Sequence, residues 1–394
     1  MTANAMTRDD PLSLDPEALM AEASRRTGLT DFGDASFRAP MRGLLRAMDE
    51  EAELHAAGRA AQRERVIGIL VNRLRAEEHI RRHPEILAEE IRRPFAIVGL
   101  ARTGTTMLQR MIACDPQVLA LMWWEARHPA PWPDAPAGGI DPRIIAAEQE
   151  VAAMVETVPE IVAAHPIDAQ AADEEIMLLE HSFFSTNSEA YVNVPKFSAW
   201  LDAQDQTAGY AYLKRLLQLL QWQKHRRGET GTRWVLKTPH HLGFVDLLFK
   251  VFPDIQIIQT HRDPVATVPS FASLVHMIRR LGSNHSDPKE VGRQWGARLH
   301  RAMHRCMAVR QLHEACFLDV RYETLLAEPM AQIRRVYEFV GMDLSPAVER
   351  RMREWAAENA RDKRAVHHYT LDEFGFREEG IRRDFAAYYR RFLQ

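Results

Sequence analysis

The chain has 394 residues, of which 46% are hydrophobic and 27% charged, enough to bury a sizeable core in one large domain or two ordinary ones. A formal net charge of −3 excludes bulk attraction to nucleic acid or to an anionic bilayer, so any anion site must come from local placement of Arg and Lys. Cys114, Cys306 and Cys316 lack metal-ligand spacing, the opening residues hold no apolar signal core and no run is long enough to span a bilayer, so a soluble cytoplasmic protein is expected.

Residues 1 to about 40 are polar and interrupted by prolines, which predicts a loosely ordered arm carrying one short helix from Pro16 to Arg26. From Met41 to Ile91 the apolar residues fall at helical spacing, as in Leu44, Leu45 and Met48, then Val66, Ile69, Leu70 and Leu74. This region reads as a helical preface packed on the core.

The run Phe95 to Val98 then has the character of a buried strand. It breaks at Gly99 and Gly104 and resumes as a helix at Met107, Leu108 and Met111. Strand, glycine-bounded loop and helix form the layout of a phosphate-binding loop, in which backbone N–H groups and the helix N-terminus face an anion. A nucleotide triphosphatase carries a lysine after the second glycine, where this chain has Thr105. Arg102 supplies charge within the loop, and Thr105 and Thr106 supply hydroxyls.

Residues 128 to 142 form a proline-rich loop, and residues 143 to 225 read as several helices, the most periodic from Tyr210 to Trp222. Trp123, Trp124, Trp132, Phe183, Phe184, Tyr191, Phe197 and Trp200 fall between the loop and the next motif; they read as core or as the wall of an acceptor pocket. Three further strands are predicted at Arg233–Leu236, Ile255–Thr260 and Cys316–Val320, with helices at Val265–Leu281 and Met330–Val340. The alternation predicts an α/β fold: a parallel sheet flanked by helices, of the P-loop nucleotide-binding type, with an N-terminal helical extension.

Each strand runs into a polar cluster, and ligands of such sheets sit at the carboxyl ends of the strands. The second cluster is Lys237-Thr238-Pro239-His240-His241, a cation that can stabilise developing charge beside two histidines able to take a proton. Either histidine alone reads equally as a structural or capping residue, and adjacent side chains diverge too far to form a metal pair. The third cluster is His261-Arg262-Asp263-Pro264 with Ser270, an arginine fork and a hydroxyl suited to a phosphate monoester. The fourth is Arg321-Tyr322-Glu323, whose ring can present a face to a purine. A basic, histidine-rich segment follows at residues 361 to 370.

In this order the four clusters resemble the sulfotransferases that use PAPS, 3′-phosphoadenosine 5′-phosphosulfate. The likeness is greatest to a bacterial branch with an Arg-Thr-Gly-Thr-Thr loop, a Lys-x-Pro-x-His-Leu stretch and a late Tyr-Glu-x-Leu. It covers about residues 94 to 380 and implies a sulfotransferase domain at 94–394, preceded by a helical extension at 1–93. It further implies that Arg102, Thr103, Gly104, Thr105 and Thr106 hold the 5′ end of PAPS. Arg262 and Ser270 would hold the 3′-phosphate, Tyr322 the adenine, and Lys237 the sulfuryl group. Lys363 and Arg364 are the nearest counterparts of a late 3′-phosphate anchor. The animal pattern places its base two residues after the lysine, where Pro239 stands; the bacterial pattern selects His241, with His240 turned towards structure and His367 and His368 next in line.

No metal is implied. The partner implied is a small acceptor alcohol, phenol or lipid that offers a hydroxyl, or less readily an amine, with Asn284 to Pro288 at the pocket entrance. A P-loop kinase is the rival enzyme, but it has no 3′-phosphate for Arg262 and Ser270. A nucleotide-binding module without turnover would have no use for Lys237 and His241.

Overall fold

The computed structural model describes residues 12–133, 139–164, 166–359 and 368–394. Five parallel strands form one sheet in the order β2-β3-β1-β4-β5, with β1 at Phe95–Gly99, β2 at Val118–Ala120, β3 at Arg233–Lys237, β4 at Gln256–His261 and β5 at Phe317–Arg321. Every residue of β1 is buried, as expected of a central strand covered on both faces. Its side chains divide by the two-residue period of a strand. Ala96 and Val98 join Trp234, Leu236 and Ile257 under the helix Thr207–Arg226. Phe95 and Ile97 join Val235, Ile258 and Val320 under the helix Pro329–Val340.

β2 is absent from the sequence reading. Its three residues are too few to show any periodicity, and it pairs only with β3.

The start of the chain departs from expectation. Helices α1 (Pro16–Thr27), α2 (Arg38–Glu50) and α3 (Ala56–Arg82) share one apolar cluster with Phe183, Phe184, Val192, Val194, Phe197 and Leu201. Residues 12 to 40 are therefore not a loose arm. Asp15 caps α1 by accepting the Ala18 N–H at 2.8 Å, and Gly28 ends it with φ +69°. Phe32 and Phe37 are buried beyond it.

Arg73 of α3 fastens this segment to the body. Its guanidinium donates to the carbonyls of Phe32, Asp34 and His181 at 2.7 to 2.9 Å and lies over the rings of Phe37 and Tyr212. A buried charge is tolerated there because its donors are satisfied.

Candidate active site

The carboxyl ends of β1, β3, β4 and β5 bring the four clusters together. β1 leaves the sheet at Gly99, and α4 (Thr105–Ile112) begins six residues later. Between them Arg102 and Gly104 both adopt left-handed conformations, with φ of +72° and +85°. Turns of this kind point successive N–H groups into one concavity, in front of the positive end of α4. Gly104 is needed for space as well: a Cβ there would stand 3.0 Å from Leu325 and 3.1 Å from the Tyr322 ring.

Thr103 turns the other way. Its hydroxyl donates to the Leu100 carbonyl at 2.7 Å and faces the Thr260 hydroxyl at 2.6 Å, fully buried. The Thr103 hydroxyl thus ties the loop to Leu100 and to β4, which leaves its main chain as the part available to a ligand.

Lys237 ends β3, and its Nζ donates to Thr106 Oγ1 at 3.3 Å and to Glu174 Oε1 at 2.8 Å. The other Glu174 oxygen accepts the Thr238 hydroxyl at 3.1 Å, while Glu175 accepts the Lys237 N–H at 2.7 Å. Two consecutive glutamates thus fix the lysine by side chain and by backbone. Nothing in the sequence near Glu174 and Glu175 announced them, because their partners lie more than sixty residues away.

The two histidines exchange the places expected of them. His241 is fully buried, with Nδ1 2.9 Å from the Tyr210 hydroxyl and Nε2 3.7 Å from Glu175. Burial raises the Tyr210 pKa well above its usual value, so the phenol stays protonated beside the ring. His240 instead lines the main cavity. Its Nδ1 meets the Thr186 hydroxyl at 2.9 Å, its ring stacks on Phe244 at 4.5 Å, and among the described residues its Nε2 has no hydrogen-bond partner. Burial, then the nearby His241 and Arg298, hold the His240 pKa well below 6.5. The ring is therefore neutral at pH 7.

Arg262 follows β4 directly. Its Nη1 donates to the Arg102 carbonyl at 2.7 Å, and its Cζ lies 4.1 Å above the Tyr322 ring. The loop, Arg262 and Tyr322 therefore converge. The Arg262 N–H also donates to the Tyr388 hydroxyl at 3.2 Å, so the C-terminal segment sets its backbone. Ser270 is buried in the second turn of the helix Pro264–Arg279. Lys363, Arg364 and His367 lie outside the described residues, and His368 is exposed.

A cavity of about 680 Å³ opens beside this cluster, bordered by Arg102, Thr105, Thr106, Thr238 and His240. Its volume falls in the range of about 300–1,000 Å³ typical of small-molecule sites. Trp123, Met177, Phe244, Phe271 and Leu274 make much of its wall apolar. Of the aromatic residues expected there, Trp123, Trp132 and Tyr191 line it. Phe183, Phe184 and Phe197 belong to the core under the N-terminal helices, Trp124 packs in another buried cluster, and Trp200 is exposed. Residues 284 to 288 do not border the cavity; Ser286 and Asp287 line a small separate recess. Among the described residues no group of three or more His, Cys, Asp or Glu is placed to hold a metal ion, and no helix is long and apolar enough to cross a membrane.

Comparison with known proteins agrees with this geometry. The family model described as "Sulfotransferase family" matches residues 94–346. The crystal structure of sulfotransferase STF1 from Mycobacterium tuberculosis H37Rv superposes with a TM-score of 0.82 at 30% identity, covering 94% of this chain and 98% of that one. Sulfotransferase STF9 from Mycobacterium avium gives 0.85 at 27% identity, covering 100% and 98%. The omega-hydroxy-beta-dihydromenaquinone-9 sulfotransferase Stf3 of Mycobacterium bovis is 26% identical over 188 residues, 45% of this chain and 46% of that protein. The match thus spans about half the length of that curated relative.

Proposed function

The chain belongs to the sulfotransferase family, and from that premise we propose that it transfers the sulfuryl group of PAPS to a hydroxyl of an apolar acceptor. One observation carries the reading: an anion-cradling loop and a neutral histidine border one largely apolar cavity, and the buried Lys237 behind them donates to Thr106 of that loop. The printed name of Stf3 describes an enzyme acting on a hydroxylated menaquinone derivative, and an apolar alcohol is the acceptor class that fits the wall described above.

PAPS supplies the sulfuryl group and yields 3′,5′-ADP. The loop from Gly99 to Thr106 offers backbone N–H groups and hydroxyls to its phosphosulfate end. Arg262 and Ser270 serve the 3′-phosphate, and Tyr322 offers its face to the adenine. His240 Nε2 takes the proton of the acceptor hydroxyl as its oxygen bonds to sulfur and the sulfur–oxygen bond to the 5′-phosphate breaks. Lys237 stabilises the charge arriving on that departing phosphate oxygen, held on course by Glu174. Positioning and charge compensation supply most of the acceleration. His241, sealed behind Tyr210, supports the turn that presents His240. The helical segment before residue 94 acts as part of the acceptor-binding body.

Calorimetry with 3′,5′-ADP, 5′-AMP and ATP tests the donor, and mass detection of a sulfate ester formed from PAPS and a long-chain alcohol tests the reaction. Tighter binding of 3′,5′-ADP than of either other nucleotide is expected. Preference for ATP with a strict Mg²⁺ requirement would move the case to a kinase.

A further inference from the structure

Helix α3 lies before the residues matched by the family model, yet it forms one wall of the cavity. Ala61, Arg65, Gly68, Asn72 and Arg75 all border it. Their spacings of four, three, four and three residues follow one line along the helix, and Glu64, Ile69 and Val71 beside that line border the cavity as well. At a rise of 1.5 Å per residue the stripe runs for about 21 Å. The opposite stripe, with Val66, Ile67, Leu70 and Leu74, is fully or almost fully buried in the N-terminal core.

Gly68 is at the centre of the cavity-facing stripe. Glycine weakens a helix interior relative to alanine, so its presence needs a reason. Backbone conformation is not one, because Gly68 is absent from the glycines of positive φ. Packing is not one either. A Cβ on Gly58, Gly209 or Gly292 would meet another atom at 2.1 to 2.6 Å, whereas a Cβ on Gly68 meets nothing within 4 Å. The space in front of Gly68 is cavity.

We propose that Gly68 is a specificity-determining residue: its bare backbone makes room for the apolar body of an elongated acceptor alcohol lying along α3. The inference rests on the reading of this cavity as the acceptor site, and it assigns the N-terminal helices a part in choosing the acceptor.

The test is binding of a homologous series of primary n-alkanols, measured by calorimetry on the full chain with saturating 3′,5′-ADP, for the wild type, Gly68→Ala and Gly68→Leu. Wild-type affinity should rise with chain length, by up to about fourfold per buried methylene. Gly68→Leu should match the wild type for the shortest alkanols and lose at least about tenfold for the longest, the loss of some two methylenes' worth of contact. Gly68→Ala should keep the wild-type profile and melt at a higher temperature. Superimposable profiles for Gly68→Leu and the wild type would overturn the inference, as would a uniform loss across the series or no alkanol binding at all. Failure of Gly68→Leu to fold would also overturn it, because the argument requires that space to be open. Absence of sulfate-ester formation from PAPS, with the length profile shifted as expected, would count against the sulfotransfer reading and leave the role of Gly68 standing.

Discussion

Alanine substitutions at His240 and His241 should have opposite effects, one on rate and the other on stability. His241→Ala removes the ring nitrogen that meets the buried Tyr210 hydroxyl at 2.9 Å. An orphaned buried hydroxyl costs about 1–3 kcal/mol, and the emptied ring volume adds about 2 kcal/mol more. At about 1.2 °C per kcal/mol for a chain of 394 residues, the melting temperature should fall by about 4–6 °C. Turnover below the transition should survive largely intact. His240→Ala removes the imidazole that lines the cavity, and loss of a general base costs about 10²- to 10⁴-fold in rate. Affinity for 3′,5′-ADP should not change, since donor binding does not use that nitrogen. Because burial holds the His240 pKa well below 6.5, the wild-type kcat should stay level as pH falls through 6.5 and decline only at more acid pH. Scanning calorimetry and single-substrate turnover on the two variants decide the matter. An inactive His241→Ala of unchanged melting temperature, beside an active His240→Ala, would refute the assignment.

Arg262→Ala should weaken 3′,5′-ADP by about tenfold to over a hundredfold, the loss of a charge-assisted contact, while 5′-AMP barely changes; equal weakening of both would remove its phosphate role. Tyr388→Phe should act in the same direction by about two- to tenfold, because the hydroxyl anchors the Arg262 N–H and His261 Nδ1, each at 3.2 Å. An unchanged ratio of the two nucleotide affinities would limit Tyr388 to packing. Burial depresses the pKa of His181 to about 3, and also lowers those of His240 and His261. Such groups stay neutral in the fold but bind a proton in the unfolded chain near pH 6.5, so stability is lost as pH falls below that value. Each contributes a slope of up to about 1.4 kcal/mol per pH unit. Melting temperatures measured between about pH 7.5 and 5 should decline steadily on the acid side, and a flat profile would contradict the burial of these rings.

Much of the site was legible because it follows from local chain chemistry. A central parallel strand must be apolar on both faces, so Phe95 to Val98 stood out. A loop that points backbone amides at an anion needs conformational freedom, and Gly104 marked it. The three-residue β2 left no such trace. Phe32 and Phe37 looked like isolated apolar residues in a polar arm because much of what they pack on is distant in sequence: Phe37 meets Arg73 and Phe183, and both rings join the cluster around α3.

From the sequence alone came the order of the elements, the loop, and the residue types at the end of each strand. These depend on hydrophobic period and backbone freedom, which are written in neighbouring positions. The proposal of His240 rather than His241 as the base rests on tertiary structure alone. They are identical side chains on consecutive residues, and what separates them is contact with Thr186 and with Tyr210, 54 and 31 positions away. The same holds for Glu174 on Lys237 and for the open space before Gly68. Direction, burial and vacancy are properties of the packed whole, since each is set by groups that only the completed fold brings together.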